Sequence, residues 1–141
     1  MGKLIDRQRQ AAARQARDER VERIHSEAAR LFATQPYVEV TLDAIGQSAG
    51  VKRGVASMYF GSREQLFLLL LRAELERFYE AVREGLAAHR SWLSDTALAR
   101  LLAGRLAERT LLCRLLALAP IVLEQNAEIM EADRFLRWQR G

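Results

Sequence analysis

The chain has 141 residues, enough for one compact unit or for a small module with a second helical bundle behind it. Half of its residues are apolar and 28% are charged, a balance that excludes a disordered protein. The net charge of +4 is uneven: residues 1–63 hold 11 Lys or Arg against 7 Asp or Glu, and residues 64–141 hold 11 against 11. Such asymmetry suggests a polyanionic partner for the N-terminal part alone, although a solvated helix face in a basic protein produces the same imbalance.

Only Pro36 and Pro120 interrupt a chain dominated by Leu, Ala, Arg and Glu, so an all-α fold is expected with almost no strand. The N-terminus turns polar before a signal-peptide core forms, and Asp6 stands where a myristoylation signal has Ser or Thr. The apolar runs at 66–71 and 115–123 fall short of the ~20 residues that cross a bilayer. With one cysteine, Cys113, the reading is of a soluble, cytoplasmic protein without membrane contact, whose cysteine is a small buried hydrophobe.

In chain order, residues 1–14 read as a flexible basic arm, frayed helix or disordered. Val21, Ile24, Ala28, Leu31 and Phe32 then mark an amphipathic helix over 15–34, ended by Pro36. Thr41 offers an N-cap for a two-turn helix to Ala49, and Gly50 suits the left-handed conformation that ends it. A second short helix is expected over 53–60. Ser62 and Gln65 form a capping box opening a long helix over 63–88, whose first half is apolar nearly all round and is therefore expected to be buried on several sides. Ser94 or Asp95 caps the next helix, Pro120 is a candidate kink in the helix over 111–123, and Asn126 is a candidate stop before a last helical segment over 127–140.

The sharpest signal lies between Thr41 and Phe60. A helix-turn-helix crosses two short helices so closely that it needs a small residue at the contact, glycine in the turn and apolar residues at fixed inward positions. Gly46, Gly50 and the set Ile45, Ala49, Val51, Ala56 and Tyr59 meet those needs. A plain helical hairpin with a glycine cap meets the same spacing. Lys52 and Arg53 weigh against it, because at the N-terminal end of a helix the dipole disfavours cations, and a phosphate or a guanine edge gives them a purpose.

The run TLDAIGQSAGVKRGVASMYFGSREQLF, preceded by EAARLFATQPY, resembles the N-terminal domain of the TetR family over about residues 20–70. Ala28, Ala29, Leu31, Phe32, Thr41, Ile45, Ala49, Gly50, Val51, Arg53, Gly54, Tyr59, Phe60, Ser62, Glu64 and Leu66 fall on the family pattern. The chain departs from it at Lys52, Ala56, Ser57 and Arg63; Ser57 replaces a tyrosine that usually touches DNA, which bears on the site sequence and not on binding.

The resemblance implies a three-helix DNA-binding domain over 15–63, joined by a long fourth helix to a helical regulatory domain over 64–141 that reads as incomplete, since members normally continue through two further helices forming the dimer interface. It implies a homodimer on a near-palindromic double-stranded operator, usually a repressor released by a small-molecule effector. Carried over by position, Lys52, Arg53, Gly54, Val55, Ser57 and Met58 would meet the major groove, and Thr41, Tyr59 and Arg63 the phosphates. A bidentate Arg53–guanine contact is worth ~1–3 kcal/mol. Arg7, Arg9, Arg14 and Arg17 of the arm are candidates for the minor groove or for plain solvation.

An enzyme is not expected: His25 and His89 stand alone, no glycine-rich phosphate loop occurs, and no cofactor or metal site is indicated. Trp92, Trp138, Phe78 and Tyr79 are candidates for lining an apolar ligand pocket, or for plain core. The competing reading is a helical protein–protein interaction module whose N-terminal hairpin is only structural.

Overall fold

The computed structural model describes residues 2–89 and 93–125. It contains six α-helices: α1 Gly2–Thr34, α2 Leu42–Ser48, α3 Val55–Phe60, α4 Arg63–Ala87, α5 Asp95–Ala107 and α6 Thr110–Gln125. A short 3-10 turn, Tyr37–Glu39, links α1 to α2. The chain divides into two units, Met1–Leu66 and Phe67–Gly141, and α4 carries it from one to the other. Among the described residues no helix is long and apolar enough to cross a membrane. Trp92, Trp138, the stop at Asn126 and the helix over 127–140 lie outside the described residues.

In the first unit the buried positions of α1 are Ile24, Ala28, Leu31 and Phe32, the three-and-four spacing of one helical face. Phe32 stacks on Tyr37 with ring centroids 5.9 Å apart, so the 3-10 turn folds back over the end of α1. Val40, Ile45, Ala49, Ala56, Phe60 and Leu66 complete this core. Two polar ties fix α1 to α2. Arg23 Nε donates to the Ala49 carbonyl at 3.3 Å, meeting the C-terminal end of α2 where a cation is favoured. Arg30 Nη2 donates to Ser48 Oγ at 2.8 Å, and Ser48 donates onward to Glu27 Oε2 at 2.6 Å.

One boundary departs widely from expectation: α1 begins at Gly2, not near residue 15, and is a single helix of 33 residues. Its first part buries nothing, for residues 3–20 are all exposed. Ala, Arg and Gln lose little in a helix, and the packed half supplies the nucleus that an isolated helix of this length lacks.

In the second unit α4 buries Phe67, Leu70 and Glu74, and α6 buries Leu112, Leu115, Ala119 and Val122. Gly85 of α4 lets α5 approach; a Cβ there would stand 2.5 Å from Leu101 Cδ1. The buried Glu74 carboxylate pairs with Arg77 and faces Arg109 at 3.9 Å, while Arg109 donates to the Arg77 carbonyl at 3.1 Å. Two expectations are corrected in these helices. The apolar first half of α4 is not covered on every side, since Leu69 is 48% exposed. Cys113 is exposed, its thiol 3.5 Å from the Leu106 carbonyl, because Leu112 and Leu115 take the inward face of α6. Helix α6 runs through Pro120 to Gln125.

Candidate nucleic-acid interface

Thr41 caps α2 as its side chain suits: Oγ1 accepts from the Ala44 amide at 3.1 Å, leaving the exposed hydroxyl proton to donate. Gly46 sits where α2 meets α3, and a Cβ on it would stand 3.3 Å from Val51 Cγ2 and 3.5 Å from Ala56 Cβ. A side chain here would have to push Val51 back by a few tenths of an ångström, so glycine eases the close crossing of the two helices. Gly50 follows at φ 68° and reverses the chain, and the Val51 amide returns to the Gly46 carbonyl at 3.0 Å.

The second helix starts later than its sequence suggests. Lys52 and Arg53 lie in the turn, because Gly54 adopts φ 82° and α3 begins only at Val55, whose amide reaches the Lys52 carbonyl at 3.1 Å. The helix-dipole argument for these two cations therefore does not apply. They stand instead on a loop held on both sides by left-handed glycines, and both are exposed. Arg53, with its side chain 90% exposed, is aimed by Asp43 of α2, whose Oδ2 accepts from Nε at 3.2 Å. An ion pair so exposed contributes little stability, but it engages Nε of a guanidinium whose side chain is otherwise open to solvent. No ion pair holds Lys52 among the described residues.

α3 turns Ala56 and Phe60 inward, four residues apart, and leaves Ser57 exposed and Met58 70% exposed, with Val55 half-buried. Tyr59, also half-buried, lies under the guanidinium of Arg17 at 5.8 Å, which brings α1 to the rim of this surface. Lys52, Arg53, Gly54, Val55, Ser57 and Met58 thus lie on one turn and one short helix whose inner side is fully engaged.

Arg63, the remaining cation of the expected group, is engaged within the fold. Its Nη1 donates to the carbonyls of Tyr37 at 3.3 Å and Val40 at 3.2 Å, its Nε donates to Glu64 Oε1 at 2.9 Å, and it stacks on the Tyr37 ring at 4.3 Å. It locks the 3-10 turn to the start of α4. Around it, burial pushes the Glu64 carboxyl up, but its own amide, Arg63 and the Tyr37 hydroxyl outweigh this and hold it below the ordinary value. Burial raises the Tyr37 phenol, which donates to Glu64 Oε1 at 3.2 Å. On the α1 side, the Ser48 hydroxyl and then Arg30 lower Glu27.

Asp43, which pairs with Arg53, is the residue that sequence reasoning missed at this surface. Of the ligand-pocket candidates within the described residues, Tyr79 is 61% exposed and lies against Phe78 with ring centroids 5.8 Å apart.

A three-helix unit with an exposed cationic glycine turn, a glycine at the helix crossing and an exposed outer face on the second helix defines a helix-turn-helix DNA-binding protein. The model for bacterial regulatory proteins of the tetR family matches residues 24–70, and the model for the tetracyclin repressor-like C-terminal domain matches residues 72–138. The chain belongs to the TetR family and is a DNA-binding transcriptional regulator. No curated protein and no solved structure matches it.

Proposed function

We propose that the protein is a ligand-responsive repressor that binds a near-palindromic operator as a homodimer. The observation that carries this reading is the exposed group Lys52, Arg53, Ser57 and Met58 on a turn and helix pinned from beneath by Gly46, Ala56 and Phe60. In that role Lys52, Arg53, Gly54, Val55, Ser57 and Met58 meet base edges and groove walls, with Arg53 on a guanine and Val55 on a thymine methyl. Thr41 and Tyr59 hold phosphates, and Arg63 braces the turn behind them.

Apolar surface on successive helices supports the homodimer: Leu98 and Leu102 on α5, and Leu116, Ile121 and Leu123 on α6, are exposed. A small apolar effector bound by the C-terminal helices would act by tilting α4 and changing the separation of two recognition helices. A regulator of this kind works beside the chromosome, in the cytoplasm.

The test is selection from random duplex DNA at two salt concentrations, for the protein and for a Lys52→Ala/Arg53→Ala variant. Recovery of a palindromic site that the variant does not bind supports the reading. A folded dimer that binds no DNA at low salt would instead be a helical protein-interaction module.

A further inference from the structure

The first eighteen described side chains of α1 form a surface that the recognition helix does not use. Residues 3–20 are exposed on every side, and only Leu4 and Ile5 among them are large and apolar. A helix without an apolar stripe has nothing for a coiled-coil partner or a lipid surface to bury. What it does carry is charge in register. Lys3, Arg7, Gln10, Arg14 and Arg17 succeed one another at intervals of four, three, four and three, which places them within an arc of about 80° on an α-helix.

Asp6 and Asp18 stand at the two edges of that arc. Neither is paired with it: among the described residues no ion pair engages Lys3, Arg7 or Arg14. The stripe ends at Arg17, which lies over the Tyr59 ring at 5.8 Å, on the helix that carries Ser57 and Met58. The cations therefore lead away from the edge of the recognition surface, over about 21 Å of helix from Lys3 to Arg17.

We infer that the N-terminal half of α1 is a second DNA-contacting element, a rigid rail of Lys3, Arg7 and Arg14 that engages the phosphates of duplex flanking the bases read by α3. Its length corresponds to roughly six base-pair steps of about 3.4 Å. Because a straight helix lying along the duplex presents its cations to the phosphates at the groove edge and does not enter the groove, its contribution is independent of the flanking sequence. The inference rests on the DNA-binding reading above and adds a footprint to it.

The experiment uses the full chain and the operator obtained by selection, as a minimal duplex and as the same duplex extended by random sequence on both sides. Lys3, Arg7 and Arg14 are replaced together by alanine, which preserves the helix and touches no buried group; Arg17 is kept because it contacts Tyr59. The wild type should bind the extended duplex more tightly than the minimal one whatever the flank, and the variant should bind the two alike while selecting the same operator. Three fewer phosphate contacts per protomer lower the salt slope by about 2.7, so the wild-type advantage should shrink about 40-fold per protomer between 50 and 200 mM salt. Equal affinities and salt slopes for wild type and variant on the extended duplex overturn the rail, and are also what an extension serving an acidic protein would produce. If the wild type binds no duplex at all, the DNA-binding reading falls and the rail falls with it.

Discussion

The two units of the chain use the same helical material to different ends. In the first, α1, the 3-10 turn, α2 and α3 all contribute buried apolar residues, and each joint carries a directed polar tie: Arg23 to Ala49, Arg30 through Ser48 to Glu27, Arg63 to Tyr37 and Val40. In the second, α5 has no buried residue among its thirteen, while leucines of both α5 and α6 face outward. A surface that must meet DNA in one geometry is held by redundant contacts. The second unit leaves apolar surface on α5 and α6, which the proposed reading gives to a partner copy.

The sharpest way to break that contrast is to truncate one residue in each unit. Phe32→Ala removes a fully buried ring stacked on Tyr37 and should cost about 3–5 kcal/mol, while Leu98→Ala on α5 should cost less than ~1 kcal/mol in denaturant unfolding. Equal losses would mean that α5 is packed as tightly as α1. Next in size, Arg63→Ala removes one donor from each of two carbonyls and a carboxylate and should cost about 1–3 kcal/mol. Lys52→Ala/Arg53→Ala should leave thermal stability unchanged within ~0.5 kcal/mol and yet abolish operator selection, separating bracing from reading.

The caps compare the units on equal terms. Thr41 Oγ1 accepts from Ala44 at 3.1 Å, and Ser94 Oγ accepts from Ala97 at 3.2 Å. Replacing either by alanine should lower stability by about 1 kcal/mol. If only Thr41→Ala is felt in global unfolding, the second unit melts separately.

The smallest effect is acid sensitivity. Glu27 and Glu64 are both held below the ordinary carboxyl value of 4.5, so their contributions are complete above it and are lost as pH falls through their lower folded values. The melting temperature should therefore decline below about pH 4.5, and Glu64→Gln should flatten part of that decline. Tyr37 has the opposite sign: its raised phenol stabilises fully below the ordinary 10.0 and loses that contribution as pH rises through its folded value. These slopes are expected for the first unit, where all three groups lie.

Local chemistry made much of this legible in the sequence. Thr41, Ser62 and Ser94 each receive an amide three residues on, and Gly50 takes the left-handed conformation its place suggests. What stayed hidden depends on distant partners or on competing rules. Arg63 reads as an available cation until residues 23 and 26 positions earlier claim its guanidinium. Lys52 and Arg53 read as the first turn of a helix until the left-handed Gly54 delays it. The helical state of residues 2–14 gives no periodic signal, having no face to bury.

The six residues of α3 lie between two left-handed glycines, Gly54 at φ 82° and Gly61 at φ 72°, and only Ala56 and Phe60 among them are buried. Such a segment behaves as a cartridge. Its joints and its two anchors belong to the scaffold, and its outward positions are those the proposed reading gives to the operator. Lineages that keep Gly54, Ala56, Phe60 and Gly61 are free to exchange Ser57 and Met58, so descendants of this regulator can acquire new target sites by drift at exposed positions without crossing a valley of unfolded intermediates.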